Sequence, residues 1–398
     1  MGEHNIVVLG AGVAGLNVAH SLLRHVIPAV TATSPSDSYK VILVNPSSHF
    51  YWVFGAPRAL ISEKVWPLDK SFGPIAEHFS SYPKETFEFV QGQGVELDAA
   101  AHKLIIRPTA KGAASETRTI EYRSLVLSVG SSADNPLWGV RESHEVTRAA
   151  LQDMHKRLPA AKSIVIAGGG AAGTETAGEI AFEFGKTKQV TILSGSTQLL
   201  STIRPDLGQQ AEKYLEQMHA KVRHNVRVTS TSQTASGATN LVLSDGSTLT
   251  TDLYIDATGL KPNTGFLPRG LLATNGKIET DAQTLRVPAA GSGAGVYSVG
   301  SAASYSHGGV LDVMDAIPPL IRTIEYDLSG GKVGAGKEGD YHRNEKDTMV
   351  VPVGRSKGVG VAFGWKVPSV FVWLLKGRDY MSSKLEDNLN GAQYLKKV

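Results

Sequence analysis

The 398-residue chain contains no cysteine. That excludes structural disulfides, cysteine-ligated metals and any redox or nucleophilic chemistry carried by a thiol. It also has little net charge: 40 Lys and Arg against 37 Asp and Glu leave a formal +3. So small an imbalance argues against a dedicated nucleic-acid binder and gives no strong field toward a membrane. No apolar run reaches the length of a membrane-spanning helix. A strand pattern begins at Asn5, which leaves no signal-peptide pattern before it. The expectation is an intracellular protein, cytoplasmic or peripheral on a membrane surface, and not a secreted one. The histidines are scattered without ligand spacing, so no metal site is expected. What the chain has in quantity is glycine, 42 residues, in an otherwise ordinary globular composition of 41% hydrophobic and 19% charged residues. The length is enough for two or three domains rich in tight turns.

The glycines are informative where they cluster. Asn5 to Leu9 is a short apolar run suited to a buried parallel strand. It enters Gly10-Ala11-Gly12-Val13-Ala14-Gly15, and helical spacing follows from Leu16 to Leu23. In such a strand–turn–helix unit the first glycine permits the turn and the second lets the backbone approach a pyrophosphate. The third lets the helix pack on the strand, and the helix N-terminus offers unpaired N–H groups to the phosphates. One match is weak, but the pattern returns at Gly168. Ser163 to Ala167 is a second buried strand, followed by Gly168-Gly169-Gly170-Ala171-Ala172-Gly173, a helical run from Thr174 to Ala181 and a strand from Gln189 to Leu193. Two complete units predict an α/β protein with two Rossmann-like dinucleotide-binding domains.

Between and after these units the pattern is plainer. Residues 29–38 read as a polar loop, and Tyr39 to Val44 as the second strand of the first unit. That strand ends at Asn45, where dinucleotide folds usually carry an acid for a ribose hydroxyl. Residues 50–90 are irregular and aromatic, and 87–107 with 118–129 alternate as strands of a small antiparallel sheet. Strands ending in small residues recur at Ser124 to Ser131, Asp252 to Gly259 and Gly295 to Ala302. A helix is expected from Val310 to Tyr326, kinked or restarted at Pro318-Pro319. Residues 329–339 read as a linker and 340–398 as a compact mixed tail.

With these junctions in order, the chain resembles the two-dinucleotide-binding flavoproteins of the pyridine nucleotide–disulfide reductase superfamily. It is most similar to their ferroptosis-suppressor and apoptosis-inducing-factor-like branch of NAD(P)H:quinone oxidoreductases. Gly168 to Glu179, Ala257-Thr258-Gly259 with Pro262-Asn263, Val353 to Gly360 and Leu374 to Asp379 carry that narrower likeness. The resemblance implies an FAD-binding domain from 1–145 and 272–330, with an NAD(P)H-binding domain inserted at 146–271 and a C-terminal domain at 340–398. It implies FAD on Gly10, Gly12, Val13, Ala14 and Gly15, with Asn45, Arg58, Val95, Gly130, Gly300 and Ser301 nearby. NADH or NADPH would be the co-substrate on Gly168, Gly170, Ala171, Ala172, Gly173 and Gly259. Glu175 would lie by the nicotinamide and flavin, and Lys376 beside the flavin or quinone, each as a catalytic residue. One departure stands out: the family's Gly-Asp at the last strand end is here Gly300-Ser301. A serine lacks the charge and reach of that acid, so FAD binding of altered character is expected.

Without cysteine, electrons from a reduced flavin cannot continue to a dithiol. The implied acceptor is a quinone or another small molecule. A biosynthetic flavoenzyme that oxidises or oxygenates a small metabolite stays open as an alternative, as does a non-catalytic nucleotide-sensing protein. Ser194-Gly195-Ser196, ending the second unit's strand, offers neither the acid that selects NADH nor an adjacent arginine, so both coenzymes stay open. On its own residues, Arg58 reads as a surface arginine, and Lys376 as a basic flank to an apolar segment. Residues 365–378 combine two tryptophans, an apolar centre and basic flanks. They suit core packing, a homodimer contact or weak attachment to a membrane surface.

Overall fold

The computed structural model describes residues 2–113, 116–291, 293, 295–333 and 337–396. Its largest sheet runs in the order Val296–Ser298, Ser124–Leu127, Glu3–Leu9, Ser38–Asn45, Phe87–Asp98, Lys103–Pro108, Arg118–Glu121. The first four strands and the start of the fifth pair in parallel. Ile6, Val7 and Val8 are fully buried, as a strand covered on both faces requires. Phe87–Asp98 serves two partners: it lies parallel to Ser38–Asn45, then bulges between Gly94 and Glu96 and turns antiparallel to Lys103–Pro108. One expectation needs correcting here. Ser124–Leu127 does not belong to the small antiparallel sheet; it pairs in parallel with Glu3–Leu9. All four of its residues are buried, which an outer antiparallel strand would not demand.

The second sheet is wholly parallel, in the order Ala220–Arg223, Gln189–Leu193, Ser163–Ala167, Leu253–Asp256. The chain then returns to the first sheet through Val296–Ser298, so the second unit is an insertion into the first. A three-stranded antiparallel sheet, Met349–Val353, Lys357–Ala362 and Trp365–Lys366, followed by short helical turns, makes up the small mixed C-terminal part. The α/β class inferred from the two glycine units is the observed one.

Two helical expectations change. The stretch read as a loop from 29 is helical as far as Thr33, in the element Ile27–Thr33. The last long helix runs unbroken from Val310 to Ser329 through both prolines. Pro318 has no N–H for the carbonyl of Met314. The tail supplies the missing donor: the Tyr394 hydroxyl reaches Met314 O at 2.7 Å. Part of the expected linker, residues 334–336, lies outside the described residues.

The same tail is clasped by the helical stretch that follows the first glycine turn. Arg24 donates to the carbonyls of Asn390 and Gly391 at 2.6 and 2.7 Å, and His25 Nε2 lies 2.8 Å from Tyr394 O. Buried His20 stacks on Phe79 and sits 2.8 Å from Leu389 O and 2.9 Å from the Tyr82 hydroxyl. With its proton on Nε2, facing the carbonyl, Nδ1 accepts from Tyr82. Burial lowers the His20 pKa from 6.5 to about 4. A lowered native pKa means that the unfolded chain takes the proton first. The stability is therefore full above pH 6.5 and lost as pH falls toward 4, by on the order of 3 kcal/mol at most. Denaturant melts at stepped pH should show that fall, and His20→Asn should flatten it. A variant profile of unchanged steepness would place the acid sensitivity elsewhere.

Candidate active site

The two glycine turns have nearly the same geometry. Gly10 has φ +103°, and a Cβ there would lie 2.4 Å from Ser128 O; at Gly15 it would lie 1.7 Å from Gly10 O. Gly168 has φ +122°, with the corresponding approach of 2.6 Å to Ala257 O, and at Gly173 of 1.9 Å to Gly168 O. Neither turn admits a side chain at those positions. Gly12 and Gly170 are different: nothing lies within 4 Å of the Cβ positions. Each is the N-cap of its helix, Val13–Ser21 or Ala171–Phe184, and neither helix has a side-chain cap. Both turns thus present orphan N–H groups to an open cradle rimmed by Val13 and Ala14, or by Ala171 and Ala172. A dinucleotide pyrophosphate fits what each cradle leaves free.

The other sequence candidates fall unevenly around these cradles. Gly300 has φ +100°, and its Cβ position lies 3.6 Å from Ala14 Cβ; that of Gly130, φ +62°, lies 3.8 Å from Ser301 Oγ. Ser301 donates to Ser131 Oγ at 3.1 Å. Asn45 is tied to the turn itself, accepting from Ala11 N–H at 2.9 Å and donating to Ser47 O at 2.7 Å. Val95 occupies the bulge between Gly94 and Glu96. Gly259, φ +76°, stands open just beyond the strand Leu253–Asp256.

The tail meets the second cradle's helix. Lys376 Nζ lies 2.5 Å from Glu175 Oε1, bringing together two residues 201 positions apart. Both side chains are largely buried, at 12% and 4% exposure. Burial pushes the Glu175 carboxyl above its ordinary range, and Lys376 opposes that shift. One turn on, Glu179 is fully buried. Its Oε1 accepts from Arg58 Nε and Nη2 at 3.0 and 2.7 Å and from the Tyr380 hydroxyl at 3.2 Å. A further turn on, Glu183 pairs with Arg355 at 2.8 Å.

Arg58 therefore is not a surface arginine, and its guanidinium is committed to acceptors within the protein. Besides Glu179 it donates to the carbonyls of Gly377 and Arg378 at 2.8 and 2.9 Å and lies over the Tyr380 ring. Burial lowers the pKa of such a group, yet the bond and charge of Glu179 hold it above its usual value. Glu179, Arg355 and Tyr380 are not among the site residues that the sequence suggests, although the first two lie within the motifs that carry the family likeness. The signal for them was there: acids at 175, 179 and 183 share one helix face and repel unless cations meet them.

Residues 4–320 match the family described as pyridine nucleotide-disulphide oxidoreductase. The chain belongs to this family. Members of it bind FAD and NAD(P)H. The chain is 34% identical to the oxidoreductase phnG of Penicillium herquei, over 99% of this chain and 98% of that protein. It is 24% identical to ferroptosis suppressor protein 1 of Xenopus tropicalis, over 95% of this chain and 94% of that protein. Among solved structures, NDH2 from Plasmodium falciparum in complex with NADH superimposes with a TM-score of 0.68. The match spans 99% of both chains at 12% identity, a likeness of fold alone. As an oxidoreductase of this family, the chain keeps both cradles while having no thiol for a disulfide.

The Arg58 arrangement predicts a stability effect. Arg58→Ala leaves the buried Glu179 carboxylate without its main cation and should cost about 3–5 kcal/mol. Arg58→Lys should recover little, because one ammonium cannot serve the carboxylate and two carbonyls together. Guanidinium unfolding measures both; a loss below about 1 kcal/mol for Arg58→Ala would mean that Arg355 and Tyr380 suffice.

Proposed function

We propose that the chain is an FAD-dependent oxidoreductase that accepts hydride from NADH or NADPH and passes electrons to a quinone or similar small acceptor. The observation that carries this reading is the repetition of one open glycine cradle on two parallel sheets. In it FAD lies on Gly10, Gly12, Val13, Ala14 and Gly15, near Gly130, Gly300 and Ser301. The nicotinamide coenzyme lies on Gly168, Gly170, Ala171, Ala172 and Gly173, toward Gly259. FAD, when bound, supplies the hydride acceptor and the two-electron store.

The protein's part is position and charge. Glu175 holds the Lys376 ammonium in one place, and two of its three N–H donors remain for an acceptor oxygen. As that oxygen gains negative charge, Nζ is already aimed and needs no reorganisation, the arrangement that makes electrostatic stabilisation effective. Arg58 holds Glu179 and the carbonyls of Gly377 and Arg378, which fixes the segment carrying Lys376. With no cysteine in the chain, the electrons leave directly to a small molecule.

The acceptor's route is suggested by an apolar face. Trp365 is 79% exposed, Val370 62%, Phe371 53%, Leu374 49% and Leu375 55%. Lys366 and Arg378 flank them, and Leu375 adjoins Lys376. Among the described residues no helix is long and apolar enough to cross a membrane. Tryptophan and basic flanks around an apolar face suit a lipid interface, where a lipid-soluble acceptor would enter beside Lys376.

Two measurements test this. The purified protein should be yellow, and anaerobic NADH or NADPH should bleach it. Lys376→Ala should keep both properties while slowing quinone reduction about 10²-fold. Colourless protein, or no bleaching, would sink the reading. Separately, anionic liposomes should co-sediment the protein and Trp365→Glu should weaken that binding without unfolding it. If liposomes leave wild type in solution and it sediments as a dimer, the face is a subunit contact.

A further inference from the structure

The strand Gln189–Leu193 ends at Ser194-Gly195-Ser196-Thr197. In a dinucleotide fold this strand end meets the adenosine ribose. An acid there holds the 2′-hydroxyl, while a nearby arginine accommodates a 2′-phosphate. No acid is present. The sequence shows no adjacent arginine either, but the structure brings one from 32 positions further on. A Cβ placed on Gly195 would lie 2.7 Å from Arg227 Cζ and 2.8 Å from Nε. Arg227 thus lies across the bare backbone of Gly195, in space that any side chain at 195 would take. Its Nη2 reaches Gly195 O at 3.3 Å.

This placement is fixed by backbone. Ser194 N donates to Arg223 O at 2.8 Å, Val226 N to Ser194 O at 3.0 Å and Asn225 N to Ser196 O at 3.1 Å. Arg227 N in turn donates to Ser244 Oγ at 3.0 Å. Among the described residues the Arg227 guanidinium has no ion pair. The carboxylate on the next loop, Asp245, is engaged by Arg223 at 3.1 Å and by Ser247. Arg227, Gly195 and Ser196 line a cleft of about 360 Å³ together with Gly168 and Gly170 of the second cradle. The Ser194 hydroxyl is spent on Gln198 O and Ser196 N–H. Among the described residues the Ser196 hydroxyl has no such commitment.

We propose that Arg227, with Ser196, forms a site for the 2′-phosphate of NADPH, so that the enzyme selects NADPH over NADH. The inference rests on the reading of the second cradle as the nicotinamide coenzyme site. A guanidinium with no carboxylate partner gives a dianionic phosphate charge-assisted, bidentate hydrogen bonds. A 2′-hydroxyl offers it no comparable gain. The absent acid matters equally, since a carboxylate at this strand end would repel the phosphate.

Isothermal titration of the flavin-loaded protein with adenosine 2′,5′-bisphosphate and with 5′-AMP reads the site without turnover. The bisphosphate should bind at least about 10-fold more tightly than 5′-AMP, and the preference should shrink as salt is raised. Arg227→Ala should abolish the preference while leaving 5′-AMP binding in place, and Arg227→Lys should keep part of it. Ser196→Glu should reverse it. Arg227 is exposed, and an unchanged melting temperature would confirm that Arg227→Ala is folded. Equal wild-type affinity for the two ligands overturns the Arg227 site and leaves the second cradle standing. Binding of neither removes the coenzyme site itself, and both readings fall.

Discussion

Three acids spaced four apart on one helix face repel each other, and in a protein interior they are tolerated only where cations come to meet them. The helix Ala171–Phe184 carries Glu175, Glu179 and Glu183 in that spacing, the first two buried and the third exposed. The cations arrive from elsewhere in the chain: Arg58 from the first unit, Lys376 and Arg355 from the tail. The second unit's cradle helix, the first unit and the C-terminal domain are thus held to one another through one row of carboxylates. Glu179 Oε2 remains without a hydrogen bond, 3.6 Å from Arg355 Nε, so the row is not fully satisfied. Buried ion pairs add little net stability over a well-packed apolar core, but breaking one is costly. The row therefore fixes which surfaces meet more than it raises overall stability.

The cradles obey a different constraint, steric rather than electrostatic. At Gly15 and Gly173 the helix backbone packs so closely on the turn that a Cβ would fall within 2 Å of a carbonyl oxygen. At Gly12 and Gly170 the same kind of residue faces open space. One motif thus uses glycine for contrary purposes, to bring protein onto protein and to keep protein away from a ligand. Both features follow from local sequence, which is why the motif could be read without a structure.

Legibility followed that division. The two strand–turn–helix units were legible because strand period, glycine spacing and helix period all lie within about thirty residues. Ser124–Leu127 was misplaced because its burial on both faces depends on strands more than a hundred positions away in sequence. The unbroken helix through Pro318 and Pro319 was not legible, since the donor for Met314 O comes from Tyr394. Arg58 and Arg227 fail in the same way. Each looks like an ordinary basic residue until the fold sets a buried carboxylate beside the first and a bare glycine backbone beside the second. Glu175 and Lys376 were named separately, on resemblance; that they form one pair is a property of the fold.

The tail segment that carries Lys376 reverses the usual order of a surface helix. Such a helix turns apolar residues inward and keeps its charges in water. Here Val372 and Lys376, one turn apart, face inward, while Val370, Phe371, Leu374 and Leu375 face out. The segment is wound as a π-turn over Trp373–Gly377, an irregularity frequent at functional sites. A buried ammonium needs a partner, which Glu175 provides. An exposed hydrocarbon face also needs one, and among the described residues nothing covers it. On the proposed reading, in which the acceptor is lipid-soluble, the inversion has a use: an acceptor leaving an apolar phase would meet a fixed positive charge with little water between to screen it.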